Sequence, residues 1–268
     1  MAEAPERNLA LDIVRVTEAA ALASARWLGR GNKEAGDGAA VDAMRIGFGS
    51  MHFDGEVVIG EGEKDHAPML YNGEKLGRGD GPALDVAVDP VEGTNLLAYG
   101  RPNAISVVAV APSGSMFRPG PSYYMQKLVV PGQARDVVDL DAPVADNLNA
   151  IARALGKKVQ DLVVFVLDKP RHEKLIGEIR KAGARIQLQT DGDVAGALMA
   201  LDPRSEVDVM MGTGGTPEGV ISACAVKGLD GQILSRLDPQ SYVEKEAILD
   251  AGVDLRAVLT VDDLVKSD

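Results

Sequence analysis

The sequence predicts an α/β fold, and three observations predict it. In the second half, short β-branched apolar runs alternate with stretches of helical periodicity, the pattern of parallel strands joined by crossover helices. The chain is 46% apolar but only 4% aromatic, so Val, Leu, Ile and Ala must build the core. Polar and glycine-rich clusters follow directly after several strands, where open α/β sheets bind their ligands.

Taken in order, Leu9, Ile13, Val16, Ala20, Ala23 and Trp27 recur at helical spacing and are followed by Gly29, which predicts a long amphipathic helix with a glycine stop. A second helix is expected to start around Asp37 to Met44. Val57-Val58-Ile59, ending at Gly60, reads as a buried strand. Leu84 to Asp89 alternates and is β-branched, a strand expected to stop at Pro90. Ile105 to Val110 is a third strand, and the stretch from Met116 to Pro121 is rich in Gly and Pro and reads as a loop. A helix through Leu148, Ile151, Ala152 and Leu155 ends at Gly156. Then come strand Leu162–Leu167, helix His172–Ala182, strand Ala184–Gln189, helix Val194–Leu201, strand Val207–Met211 and helix Pro217–Lys227. A soft boundary is expected near Lys157–Gln160. It gives an N-terminal subdomain over 1–158 and a C-terminal one over 159–268 within one catalytic unit.

Composition excludes several classes of function. At a net charge of −12, with no Lys/Arg run, the chain lacks the basic stripe of a nucleic-acid binder. Its one cysteine, Cys224, rules out an internal disulfide framework. Met1 to Arg7 lack the basic-then-apolar order of a signal peptide, and no apolar run approaches the ~18 residues of a membrane span. The expectation is a cytoplasmic protein. An acidic protein that handles phosphates needs local positive charge, from a bound metal or a few aimed basic residues.

The candidate chemistry is carboxylate-rich. In Asp89-Pro90-Val91-Glu92-Gly93-Thr94 a strand delivers Asp89, and Glu92 follows closely. Two acids this close repel unless a cation lies between them, and a hard divalent ion suits such oxygen ligands. A surface turn with an acidic edge is the alternative. Gly60-Glu61-Gly62-Glu63 also ends a strand and sends Glu61 and Glu63 to one side if extended, or is simply a charged hairpin turn. Asp37 is either a ligand or a helix N-cap. Glu218 follows Gly212-Thr213-Gly214-Gly215-Thr216-Pro217, a glycine loop that could present N–H groups to a phosphate, with Pro217 suited to the first position of a helix. It lacks the Gly-Lys-Ser/Thr close of a phosphate loop and the dinucleotide fingerprint. Lys169-Pro170-Arg171 and Asp191-Gly192-Asp193 are two further polar clusters after strands.

Gly60–Glu63, Ala67-Pro68-Met69-Leu70-Tyr71, Asp89–Thr94, Lys169-Pro170-Arg171-His172, Asp191-Gly192-Asp193-Val194 and Gly214-Gly215-Thr216-Pro217-Glu218-Gly219 make the chain resemble the GlpX-type (class II) fructose-1,6-bisphosphatases over nearly its whole length. The Asp89–Thr94 stretch also resembles the wider lithium-sensitive phosphatase superfamily. The resemblance implies a layered αβαβα sandwich, of which family members carry a further C-terminal segment beyond Asp268. It implies metal ligation by Asp37, Glu61, Asp89, Glu92 and Glu218, most of them in the N-terminal subdomain. Substrate contacts are implied for Glu92, Gly93, Thr94, Tyr124, Lys169, Pro170, Arg171, Asp191, Gly192, Asp193 and Gly215. Catalysis is implied for Thr94, Asp37 and Glu61. Lys33, just before Asp37, also fits the family pattern, while His52 and His66 are given no role.

The implied reaction is metal-dependent hydrolysis, with Mn²⁺ or Mg²⁺, of the 1-phosphate of fructose 1,6-bisphosphate, in gluconeogenesis or the Calvin cycle. Water would attack phosphorus in line, with Thr94, oriented by Asp37, taking a proton. Lys169 and Arg171 would hold the unreactive phosphate, and Asp191 and Asp193 the sugar hydroxyls. A bifunctional sedoheptulose-1,7-/fructose-1,6-bisphosphatase and an inositol phosphatase are the enzyme alternatives, and an inactive metal-binding remnant is the alternative of another class. The partner is a small sugar bisphosphate, with neither nucleic acid nor membrane, and the chain is expected to form a homo-oligomer, a dimer or tetramer.

Overall fold

The computed structural model describes residues 8–62 and 70–267. The chain divides into two compact units, Met1–Gly114 and Ser115–Asp268. The first carries helices α1 (Leu9–Ala25) and α2 (Lys33–Phe48), strands β1 (Asp54–Ile59), β2 (Lys75–Leu76) and β3 (Ala83–Glu92), a short helix α3 (Thr94–Ala98) and strand β4 (Ile105–Pro112). Its sheet runs β2-β1-β3-β4, with β1 and β3 parallel and the outer pairs antiparallel. Asparagine side chains cap both long helices: Asn8 accepts from the N–H groups of Ala10 and Leu11, and Asn32 from that of Ala35. The apolar stripes of the helices, Val16 and Ala20 of α1 with Ala40, Val41, Met44 and Phe48 of α2, bury against Val57, Val86 and Val88 of the sheet.

The strand that bears Asp89 does not stop at Pro90. β3 continues to Glu92, and its register with β4 shifts between Asp89 and Glu92. Such an irregularity is one of the few places where a proline, which has no N–H to give the ladder, fits inside a sheet. The freed Pro90 carbonyl accepts a 2.7 Å hydrogen bond from the Ser106 hydroxyl.

The second unit is assembled from β5 (Tyr124–Val130), α4 (Val144–Ala154), β6 (Val163–Leu167), α5 (Glu173–Ala182), β7 (Arg185–Gln189), α6 (Asp193–Leu201), β8 (Val209–Gly215), α7 (Thr216–Gly228), β9 (Gln232–Leu237), α8 (Tyr242–Asp250) and α9 (Val261–Leu264). The sheet order is β7-β6-β8-β5-β9. β6 lies parallel to β7 and β8, as the alternating pattern predicted, while β5 pairs antiparallel with β8 and β9. Leu148 and Ile151 of α4 and Ile176 and Ile179 of α5 pack on Leu128, Val130, Val164, Val166, Val209 and Met211. The strand residues between these point to the other face. There a Cβ on Gly196 of α6 would lie 2.3 Å from the Phe165 ring, and one on Gly219 of α7 would lie 2.2 Å from Met125 Sδ, so both helices sit hard against the sheet.

The α/β class therefore holds unit by unit, with a helix layer and a sheet in the first and a sheet between two helix layers in the second. The units part after Gly114, not near residue 158, because β5 completes the sheet of β6–β9 and so belongs with the later strands. Among the described residues no helix is long and apolar enough to cross a membrane.

Candidate active site

In the first unit, four acids stand on strand ends and one helix, in two pairs. Asp37 lies inside α2, beyond the Asn32 cap, so it is not the N-cap that the sequence allowed. A helix interior with Gly36 and Gly38 beside Asp37 sacrifices roughly 1 kcal/mol per glycine relative to alanine. For Gly36 the reason is packing, since a Cβ would come within 2.7 Å of Leu97 Cδ2 and 3.2 Å of Trp27 Cβ. The Asp37 carboxylate hydrogen-bonds with that of Glu61, which follows β1; burial raises the Asp37 pKa, and the bond to Glu61 opposes the rise. Gly60 is obligatory next to Glu61, because a Cβ would sit 1.9 Å from the Leu70 carbonyl oxygen. Glu63, His66 and Ala67-Pro68-Met69 lie outside the described residues.

Asp89 and Glu92 each bring a carboxylate oxygen within 4.8 Å of the other. Asp89 Oδ1 also accepts the Val91 N–H at 3.0 Å, closing a turn across Pro90, and Glu92 is buried. Gly93 adopts φ 86°, ψ 49°, the left-handed conformation in which glycine is preferred, and turns the chain from β3 into α3, whose first residue is Thr94. The turn with an acidic edge thus proves to be a strand end and a helix start, with Glu92, Gly93 and Thr94 at the junction.

In the second unit, the glycine run is not a loop. Gly212 to Gly215 are the end of β8, paired with Lys127 to Tyr124 of β5, and α7 begins at Thr216 with Pro217 in its first turn. Its glycines are sockets for charged side chains. A Cβ on Gly214 would fall 1.8 Å from Asp193 Oδ2, one on Gly215 1.7 Å from Glu218 Oε2, and one on Gly219 3.1 Å from Lys127 Cε. Glu218 Oε2 is buried and has no hydrogen-bond partner among the described residues. Burial, then the neighbouring Asp193, push the Glu218 pKa up, while Lys127 pulls it down.

Arg171 is fixed in two ways. Its Nε donates to the Thr213 carbonyl at 2.9 Å, and its guanidinium lies 5.2 Å from the centre of the Tyr124 ring. Behind it, His172 is a buried strut. The Thr213 N–H donates to Nε2 at 2.7 Å, so the proton sits on Nδ1, which donates to the Leu167 carbonyl at 2.7 Å. Burial lowers the His172 pKa and keeps it neutral. Lys169 lies 3.6 Å from Asp191, and both are partly exposed. Gly192 takes φ 90° and caps α6. Asp193, the first residue of α6, is buried and accepts a 2.6 Å hydrogen bond from Lys127, so its carboxylate does not face solvent.

The structure thus brings Asp37 to Glu61 and Asp89 to Glu92 within the first unit. In the second it brings Tyr124 to Arg171, Lys169 to Asp191 and Asp193, Gly215 and Glu218 around Lys127. The burial of Lys127 among these side chains was missed. The signal was a lone charged residue in an apolar segment, Leu128-Val129-Val130, which a core strand does not admit without a partner. Within each unit the donors are oxygen: a carboxylate pair in the first, and in the second a buried carboxylate oxygen without a hydrogen-bond partner among the described residues. These residues fit a hard divalent cation. The thiol of Cys224, pushed up to about 12 by burial, is no nucleophile.

Residues 7–268 match the family model for bacterial fructose-1,6-bisphosphatase, glpX-encoded. The chain is 46% identical over 275 aligned residues to fructose-1,6-bisphosphatase 1 class 2 of Escherichia coli (strain K12), covering 98% of this chain and 82% of that protein. The same identity and coverage hold for the fructose-1,6-bisphosphatase class 2 proteins of Escherichia coli O6:H1 and Shigella flexneri. By the match over residues 7–268 and the identity across nearly its whole length, this chain belongs to the glpX-type bacterial fructose-1,6-bisphosphatase family.

Proposed function

We propose that the chain hydrolyses the 1-phosphate of fructose 1,6-bisphosphate, releasing fructose 6-phosphate and inorganic phosphate. The observation that carries the reading is the 46% identity, across 98% of the chain, to proteins named for that substrate. Asp37, Glu61, Asp89, Glu92 and Glu218 are the proposed ligands of divalent ions, Mn²⁺ or Mg²⁺. Bound there, the cations would neutralise the dianionic ester and make it open to attack. The Thr94 hydroxyl, oriented by Asp37, takes the proton of the attacking water and passes its own to a carboxylate. The N–H groups of Gly93 and Thr94 grip the phosphoryl oxygens, a preorganised donor pair of the kind that stabilises developing negative charge.

The second phosphate is assigned to Lys169 and Arg171, with Tyr124 and Pro170 beside them. Arg171 is already oriented by Thr213 and Tyr124, so little rotamer entropy is lost on binding. Asp191 accepts hydroxyl hydrogen bonds from the sugar, and Gly192 and Asp193 shape the turn around it. Gly215 leaves room for the Glu218 carboxylate. The enzyme is proposed to work in the cytoplasm as a homodimer or homotetramer.

Phosphate release from fructose 1,6-bisphosphate, sedoheptulose 1,7-bisphosphate and inositol phosphate, with and without EDTA, tests this. The expected result is turnover of fructose 1,6-bisphosphate that EDTA abolishes and Mn²⁺ or Mg²⁺ restores. Binding of the sugar without turnover in the presence of either ion would refute it.

A further inference from the structure

The buried pair Lys127–Asp193 joins a lysine given no role above to an acid assigned only to the turn around the sugar. Lys127 is fully buried and the Asp193 side chain is 5% exposed, with Nζ and Oδ2 2.6 Å apart. Burying two charges is costly, and a well-packed apolar pair of the same volume is often no less stable. Stability alone is therefore weak ground for the pair. Its position is informative. Lys127 Cε lies 3.1 Å from where a Gly219 Cβ would stand, next in sequence to Glu218, and Lys127 Nζ lies 3.2 Å from where a Gly214 Cβ would stand. Asp193 Oδ2 occupies the Gly214 socket beside the Gly215 socket that holds the Glu218 carboxylate. Lys127 is thus within electrostatic reach of the Asp193 and Glu218 carboxylates, and Lys127 and Asp193 both act on Glu218. Lys127 bonds Asp193, while Glu218 Oε2 has no hydrogen-bond partner among the described residues.

We infer that Asp193 is a positioning residue. Its carboxylate holds the Lys127 ammonium group away from Glu218 and so keeps Glu218 open to a cation. An ammonium group and a divalent ion compete for the same oxygen. If Asp193 loses its charge, Lys127 loses the carboxylate it bonds and is left to compete for Glu218, and both competition and repulsion then act against the cation. Removing the lysine as well abolishes the competitor and restores the net charge that Lys127, Asp193 and Glu218 carry together, with Glu218 as the remaining anion. The inference rests on the reading of Glu218 as a metal ligand.

The test is Mn²⁺ binding to purified protein, followed by calorimetry and by the electron paramagnetic resonance signal of free Mn²⁺, alongside fructose 1,6-bisphosphate kinetics. Asp193→Asn, close in shape but uncharged, is expected to weaken Mn²⁺ binding by about 10- to 100-fold, the usual cost of altering a group that supports a ligand. Adding Lys127→Met to Asp193→Asn should recover most of that loss. Unchanged Mn²⁺ affinity in Asp193→Asn with a raised KM overturns the inference and makes Asp193 a direct sugar contact. A loss of Mn²⁺ affinity that Lys127→Met does not rescue also overturns it, and marks the pair as structural. If Asp193→Asn does not fold, the double variant decides: wild-type affinity upholds the inference, and weak binding overturns it. Failure of the underlying reading looks different, because the wild-type protein would itself bind no Mn²⁺ or release no phosphate.

Discussion

The sharpest separation of stability from activity is expected at Gly215. Its backbone, at φ −61° and ψ 140°, is ordinary for any L-residue, so Gly215→Ala introduces no backbone strain. By narrowing the unfolded ensemble, a compatible Gly→Ala change stabilises by about 0.4–1 kcal/mol. The new methyl carbon, however, would stand 1.7 Å from Glu218 Oε2, 2.6 Å from its Cδ and 3.1 Å from Oε1. All three atoms are at the end of a flexible side chain, so the fold can yield by swinging the carboxylate away. To reach ordinary contact Oε2 must move by more than an ångström, and a misplacement of about 1 Å at a reacting centre can cost about 10²-fold in rate. That corresponds to about 2.7 kcal/mol of transition-state stabilisation. The expected variant melts within a few degrees of the wild type and loses about two orders of magnitude in kcat/KM, with a matching rise in the Mn²⁺ needed for half-maximal rate. Thermal unfolding and phosphate release over a Mn²⁺ series measure both. A variant with wild-type kcat/KM would show that the carboxylate need not occupy the Gly215 socket. A variant that fails to fold would show that the carboxylate is not the part that yields.

Gly60→Ala is the contrasting case: its methyl carbon would meet the Leu70 carbonyl oxygen at 1.9 Å, a backbone atom that cannot swing aside, so a large loss of thermal stability is expected. Thr94→Ala should lower kcat by about 10²–10⁴-fold, the range for a lost proton-transfer group, with a smaller change in KM; equal kcat in steady-state assays would remove Thr94 from the chemistry. Arg171→Ala removes charged hydrogen bonds worth about 1.5–3 kcal/mol, so KM for the bisphosphate should rise about 10- to 100-fold while p-nitrophenyl phosphate is hydrolysed almost as before. His172 is neutral in the fold with its pKa below 6.5, so the unfolded chain binds the extra proton first. Its contribution is complete above about pH 6.5 and is lost as pH falls below that. A thermal-shift series from pH 8 to 5 should be flat and then fall, and His172→Phe should be less stable at pH 8 and fall less.

Much of this could be read from the chain because the relevant physics is local. Helix and strand periodicity located α1, β1, β4 and the alternating run from β6 to α7 to within a few residues, and the glycines at the Asp89–Thr94 and Gly212–Gly219 motifs marked backbone of special function. What escaped depended on non-local pairing. β5 carries Lys127 in an otherwise apolar stretch, and nothing within the segment reveals that Asp193, far along the chain, neutralises it. Pro90 argued for the end of a strand, and only the register shift against β4 makes room for it inside β3. The run from Gly212 to Gly215 resembles a flexible loop by composition. It is a strand because β5 supplies hydrogen bonds on one side and the absent side chains make room for Asp193 and Glu218. Lys169, Arg171 and Asp191 fell at strand ends as the general rule for α/β sheets predicts, whereas the role of His172 as a strut required the Thr213 amide and the Leu167 carbonyl to be placed around it.

The position of β5 also shapes how the protein is made. Both of its hydrogen-bonding neighbours, β8 and β9, lie downstream of it in the chain. As synthesis proceeds, Leu128-Val129-Val130 leaves the ribosome with two open edges and stays so until residues 209–237 have followed. In the first unit, by contrast, β3 and β4 pair across a short connection and can form early. The second sheet therefore closes last around the segment that began it, and that interval, when an apolar strand carrying a lone lysine waits for its partners, is when the nascent chain is most exposed to aggregation.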